Sequence, residues 1–316
     1  MLQRTLLFSL LSILCLTTPL LAQSSYSDLL ARLGENYANG EDPYKEEYVG
    51  KWPGQRYPEL LAWEGDYVLF DNFRVGNDET DKQSMRGLWT SALIDLSKLK
   101  KVSFVMCRFP LKVGPISYPN GGHGELMYEF ERGGVKTPHG EIGGFDTPFG
   151  AFRRDDQNFD PVKGMGRVYK SIFTFYARNA RMSQVSKIYD AIEFFELDLS
   201  KEQMKTLLIN TLKEAFEKER LQSEYYNTVR NSCLTNQIRL LNQVVPKKQR
   251  IRERFSLSGI LPKYLADSLR DKGLVRRERQ LSCPDGVTDY INQNYSEDVV
   301  VTKRGSNFRN FYHEDF

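Results

Sequence analysis

Cys233 stands at the junction of a polar turn, Asn227 to Ser232, and an apolar segment in which Ile238, Leu241 and Val245 recur at helical spacing. A thiol in the first turn of a helix meets backbone N–H groups that lack an intrahelical acceptor. These favour the thiolate, the form that attacks a carbonyl carbon. Without a base, the same thiol is simply a small apolar side chain suited to a core. The chain offers three histidines. His313 falls in an Asn-rich tail, whereas His123 and His139 each open the triplet His-Gly-Glu. His123 begins an alternating β pattern, so it can project toward the N-terminus of a helix packed on the sheet and form a thiolate–imidazolium pair. His139 falls on the segment expected to return beside that strand, which places it to orient the His123 ring. A rival chemistry uses the same residues: His and Glu two apart on a strand share a face, so His123, Glu125, His139 and Glu141 form a candidate ligand set for a divalent ion in a metal-dependent hydrolase.

The elements that must hold these side chains are legible as β-rich in the first half and helical in the second. "YVLFDNFRV" and "VSFVMCRFPL" are β-branched and aromatic runs, and in "HGELMYEF" Leu126, Tyr128 and Phe130 alternate with Glu125 and Glu129. Gly133-Gly134 predicts a hairpin turn with "VKTPHGEIGGF" as the return strand. Between Asp146 and Tyr189 no period stands out around the aromatic cluster "SIFTFYARNA". "AIEFFELDLS" predicts another strand, and Ser200 with Gln203 predicts a capping box that starts a helix striped by Met204, Leu207, Leu208, Leu212, Ala215 and Phe216. A helix follows from Cys233 to Val245, stopped by Pro246, and "LPKYLADSLRDKGL" predicts a short amphipathic helix with a glycine stop. Together these predict an α+β fold, an antiparallel sheet packed against helices.

Arg4, the apolar run "TLLFSLLSILCL" and the small-residue stretch "TTPLLAQ" predict a signal peptide cut after Ala22, and hence a periplasmic or otherwise exported protein. Cleavage would remove Cys15 and leave Cys107, Cys233 and Cys283, an odd number in an oxidising compartment. If Cys233 stays free, Cys107 and Cys283 are the pair available for a disulfide. The formal net charge of +3 gives no sign of nucleic-acid binding, although residues 247–279 hold eleven Lys or Arg against four Asp or Glu. That excess suits either a solvated helical face or peripheral contact with anionic lipid. The expected organisation is a signal peptide over 1–22, an N-terminal extension with the first strands over 23–100, a core over 101–246 and a basic helical appendix over 247–316.

The succession "GGHGELMYEF", "YDAIEFFELDLSKEQMKTLLINTL", "YYNTVRNSCLTNQIRLLNQVVP" and "LPKYLADSLRDKGL" resembles the Lnb N-terminal periplasmic domain family. That family is similar to permuted papain-like folds of the NlpC/P60 and lecithin:retinol acyltransferase type, in which histidine precedes cysteine. The resemblance implies Cys233 as nucleophile and His123 as base, with no cofactor. It also implies N-acylation of lipoproteins through a thioester acyl-enzyme. The substrate or partner would be a cell-envelope lipid, a lipoprotein or a peptidoglycan fragment. The contrasting class is a non-enzymatic envelope protein that binds such a lipid or fragment on the same fold.

Overall fold

The computed structural model describes residues 26–38, 55–77, 87–113, 116–152, 159–160, 162–187, 189, 191–253, 261–295, 298, 300–302 and 305–307. The predicted signal peptide, Cys15 and His313 lie outside them. The strands are β1 (Glu59–Glu64), β2 (Tyr67–Asn77), β3 (Gly87–Asp95), β4 (Leu99–Val113), β5 (Ile116–Phe130), β6 (Val135–Thr137), β7 (Gly140–Ile142), β8 (Gly144–Phe152), β9 (Lys170–Phe173), β10 (Phe175–Ala177), β11 (Ala191–Leu197), β12 (Val275–Ser282) and a separate pair, β13 (Val300–Thr302) with β14 (Gly305–Asn307). The helices are α1 (Tyr26–Ala38), α2 (Arg178–Ser186), α3 (Lys201–Phe216), α4 (Lys218–Ser223), α5 (Cys233–Val244), α6 (Pro262–Asp271) and α7 (Asp285–Asn294).

The fold is α+β, built on one large, curled and mostly antiparallel sheet in the order β12-β11-β4-β5-β8-β10-β2-β3-β6-β7, with β1 added to β2 and β9 to β8. The alternation read in β5 sorts its side chains between two faces. Leu126, Tyr128 and Phe130 join Val102, Phe104 and Met106 of β4 beneath α3 and α5, in the larger core. Met127 joins Val105 and Cys107 beneath α2 and α7, in a second apolar cluster with Met182, Val185, Val287 and Ile291. Glu125 and Glu129 are therefore buried rather than solvated, because helices cover both faces of the sheet. Single hydrogen bonds fix the layers: Tyr128 Oη lies 2.7 Å from Thr211 Oγ1 of α3, and Gln237 Nε2 of α5 donates to the Thr147 carbonyl of β8 at 3.0 Å.

Three expectations are corrected. The segment after Gly133-Gly134 pairs back onto β5 only at its end, Gly144 opposite Glu129 and Phe145 opposite Tyr128, and not through the stretch that carries His139. β6 pairs with β3 through Leu93 opposite Lys136 and Ile94 opposite Val135, and the Asp95 N–H donates to the Gly134 carbonyl at 2.8 Å. The curl of the sheet brings the end of β3 to the end of β5, so the chain leaving the turn meets β3, while β5 takes β4 and β8 as its neighbours. Cys107 and Cys283 are free thiols rather than a disulfide. Cys107 lies on β4 and Cys283 just past the end of β12, and β11 runs between those strands, which puts about 10 Å of sheet between them where a bridge wants less than about 7 Å between Cα atoms. The segment 247–316 supplies not only helices but also β12, an edge strand of the main sheet. Its charges suit an edge, where they discourage pairing with another chain, and several are paired: Arg270 with Glu278 and Asp267, Arg276 with Asp198.

Two glycines in β5 set how closely the helices approach. A Cβ on Gly124 would lie 2.4 Å from Leu234 Cδ2 of α5 and 2.9 Å from Phe104 Cε1, and one on Gly122 would lie 2.6 Å from Pro262 Cγ of α6. Gly124→Ala should therefore lower stability by about 1–3 kcal/mol in urea denaturation, the usual cost of overpacking, while moving the first turn of α5 off the strand.

Candidate functional site

The turn before Cys233 is built by its own polar side chains. Asn227 Oδ1 accepts from the N–H groups of Val229 and Arg230 at 3.0 and 2.9 Å, and Asn227 and Asn231 pair as an isolated bridge. Asn231 Nδ2 donates to Glu224 Oε1 at 2.8 Å and to Ser171 Oγ at 3.2 Å, which anchors the turn to α4 and β9. Ser232 then caps α5 in a reciprocal box with Thr235, making Cys233 the first helical residue. This is the local chemistry that the Asn and Ser residues predict. It fixes the backbone of the thiol against the sheet.

The sheet opens where the thiol sits. β5 pairs with β8 only as far as Glu125 opposite Pro148, and from Phe149 onward β8 pairs with β9 instead. Proline offers no N–H to continue the ladder. Gly124, one residue further along β5, turns its N–H to the Cys233 sulfur, and the Tyr226 hydroxyl donates to the same atom. Cys233 is 6 % exposed, and its remaining partner is the His123 imidazole, within hydrogen-bonding distance.

Behind the imidazole the charges alternate. His123 Nε2 lies 3.5 Å from Glu125 Oε2, two residues along the same face of β5. Arg181 of α2 grips that carboxylate, Nε at 3.0 Å from each oxygen and Nη2 at 2.6 Å from Oε2. One turn earlier on α2, Arg178 Nη1 donates to Asp146 Oδ1 of β8 at 2.9 Å. Two adjacent strands thus present two buried carboxylates, and one helix face presents two guanidiniums at i and i+3 to meet them.

Burial opposes every charge in this set; the partners overcome it at His123, Cys233 and Glu125, whereas Asp146 stays raised to about 7 by burial despite Arg178. Desolvation lowers His123, yet the charge of Cys233 and hydrogen bonds to Cys233 and Glu125 raise it from 6.5 to about 9. Cys233 is pushed up by burial and pulled further down by His123, so the thiol lies below its ordinary value of 9.0. Glu125, despite burial, is held at about 2, chiefly by Arg181. The lowered thiol and the raised imidazole both favour a thiolate–imidazolium pair, backed by a carboxylate and a guanidinium. It can deliver a sulfur nucleophile and return a proton to a leaving group.

A model of the Lnb N-terminal periplasmic domain family matches residues 98–262, just over half of the chain. The chain belongs to that family. Its membership places the protein in the periplasm and makes it a protein of the cell envelope. No curated protein and no solved structure matches it. Among the described residues, no helix is long and apolar enough to cross a membrane.

Of the residues singled out from the sequence of this Lnb-family chain, the structure brings Cys233 and His123 together and leaves His139 apart. His139 lies in the turn between β6 and β7, a hairpin attached to β3, and its pKa is lowered by burial alone. The residue beside the His123 ring is Glu125. The rival four-ligand set does not assemble either: Glu125 is held by Arg181, Glu141 faces Arg132 and Lys136, and among the described residues no three His, Cys, Asp or Glu side chains converge as metal ligands. Arg181 and Tyr226 were not found from the sequence. Tyr226 stands seven residues before Cys233, in the aromatic pair that opens the turn.

Two outcomes follow. Because the folded pKa of His123 lies above its unfolded value, the stability it contributes is fully present below about pH 6.5 and is lost as pH rises through about 9. Urea midpoints of the His123→Gln protein should lack that component of the pH dependence. Arg181→Met strands the buried Glu125 carboxylate and should cost about 3–5 kcal/mol, measured the same way.

Proposed function

We propose that this protein is a thiol-dependent acyltransferase or amidase of the cell envelope, acting through a Cys233 acyl-enzyme on a permuted papain-like scaffold. One observation carries the reading: the thiol at the start of α5 is hydrogen-bonded to a histidine whose own partner is a buried carboxylate. The order of the parts supports the permuted relationship, since His123 on β5 precedes Cys233 on α5.

In this mechanism the Cys233 thiolate attacks the acyl carbonyl, forming the C–S bond and placing negative charge on the carbonyl oxygen. Backbone N–H groups in the first turn of α5 have no intrahelical acceptor and stabilise that oxyanion. As the tetrahedral adduct collapses, the His123 imidazolium gives its proton to the leaving oxygen or nitrogen, and the thioester remains. The now neutral His123 then accepts a proton from the incoming amine or water, which attacks the thioester and releases Cys233 as thiolate. Glu125 positions the ring and stabilises its charge, and Arg181 holds Glu125 ionised. An envelope lipid, a lipoprotein or a peptidoglycan fragment is the substrate this reading favours.

Intact-protein mass spectrometry after incubation with envelope phospholipid and lipopeptide should reveal an acyl adduct on Cys233 that hydroxylamine removes. Cys233→Ala should abolish the adduct and turnover, and chelator should leave both unchanged. A protein that turns over after Cys233→Ala would not be a thiol enzyme. Tight lipid or glycan binding without any adduct would instead identify a binding protein.

A further inference from the structure

We infer that the loop from Val162 to Lys170, with Tyr225, is a docking surface for an anionic phospholipid membrane. Val162, Met165 and Val168 are about half exposed, at 50, 52 and 51 %, and Tyr225 is exposed at 36 %. They are close in the chain and held in one small structure. Val162 and Met165 are three apart across a 3-10 turn, Lys163–Met165, in which residues at that spacing eclipse and point the same way. Asp160 Oδ1 accepts from the N–H groups of Val162 and Lys163 at 2.8 and 3.1 Å, so its carboxylate is turned inward to cap the turn. The loop is fastened to the segment that delivers the thiol: Asn227 Nδ2 donates to the Met165 carbonyl at 2.7 Å, and Thr228 N–H to the Gly164 carbonyl at 3.0 Å. Lys170 lies 3.7 Å above the Tyr225 ring, whose neighbour Tyr226 reaches the Cys233 sulfur.

An exposed apolar cluster on a periplasmic protein calls for an occupant, and its charges say which. Between Val162 and Lys170 the sequence holds Lys163, Arg167 and Lys170 and no acidic residue. Lys163 and Arg167 are exposed and make no ion pair among the described residues. Apolar tips set among unpaired cations match the boundary between headgroups and acyl chains, where the tips enter and the cations meet phosphate. The more basic stretch 247–279 is the weaker match, because several of its cations are already paired, Arg270 with Glu278 and Arg276 with Asp198. Docking here would hold the turn before Cys233 at the membrane surface. That consequence, drawing the acyl donor from the bilayer, rests on the acyl-transfer reading. The docking itself does not.

The test is cosedimentation of the mature protein with vesicles of phosphatidylglycerol and phosphatidylcholine, against phosphatidylcholine alone, at about 0.1 M salt, where the screening length is about 10 Å. Anionic vesicles should retain the wild type. M165E/V168E should reduce partitioning at least about 25-fold, about fivefold for each like charge placed at the surface. K163Q/R167Q should reduce it to a similar degree without touching the apolar tips. C233A should bind as wild type, so loss of chemistry and loss of docking are read separately. Unchanged iodoacetamide labelling of Cys233 in the loop variants verifies that they are folded. Absence of wild-type binding to anionic vesicles, or retention undiminished in M165E/V168E, overturns the proposal.

Discussion

The stability of the site depends on a line of charges that none of its members could sustain alone. A buried imidazolium, carboxylate or guanidinium is penalised by several kcal/mol when it leaves water, and the penalty is offset only if the next group in line carries the opposite sign. From Cys233 through His123 and Glu125 to Arg181 the signs alternate. Asp146 and Arg178 form a second pair beside the first. The apolar packing of α2 and α7 over that face excludes water and so makes each attraction stronger than it would be at the surface. The same helix that shields the site also carries its outermost charges. Packing and electrostatics at this face are therefore one constraint.

On the opposite face the constraint is steric. α5 can present its first residue to β5 only because β5 carries no side chain at Gly124, and because β8 leaves β5 after Pro148. One absent Cβ and one absent N–H let α5 approach where β5 and β8 part. There the capped turn from Asn227 to Ser232 feeds in a thiol with little freedom to wander. The orientation of this thiol is thus set by backbone means.

Much of this was legible in the chain, and the exceptions share a cause. The caps at Ser200 and Ser232, the stripes of α3 and α5 and the alternation in β5 are local signals, and local geometry honoured them. The spacing of His123 and Glu125 correctly announced a shared face, although what Glu125 meets is a guanidinium. α2 went unread because "RNARMSQ" has the composition of a solvated segment, and nothing local reveals that its arginines turn inward to two carboxylates on distant strands. His139 was assigned to His123 because a Gly-Gly turn ordinarily returns a strand to its neighbour. The curl of a many-stranded sheet, which brings β3 into the way, is a property of the whole fold.

The order of the parts along the chain also has a temporal meaning. β4, β5, β8 and α2, which hold His123, Glu125, Asp146 and both arginines, all precede residue 187, whereas the thiol comes at 233. A chain that emerges N-terminus first presents these charge partners before the sulfur, although α7, which covers their face, follows it. The lowered pKa of the thiol then appears late, as a product of completed folding. Until α5 docks, Cys233 lacks the His123, Gly124 and Tyr226 contacts that lower its pKa, and an immature molecule carries an ordinary thiol into an oxidising compartment.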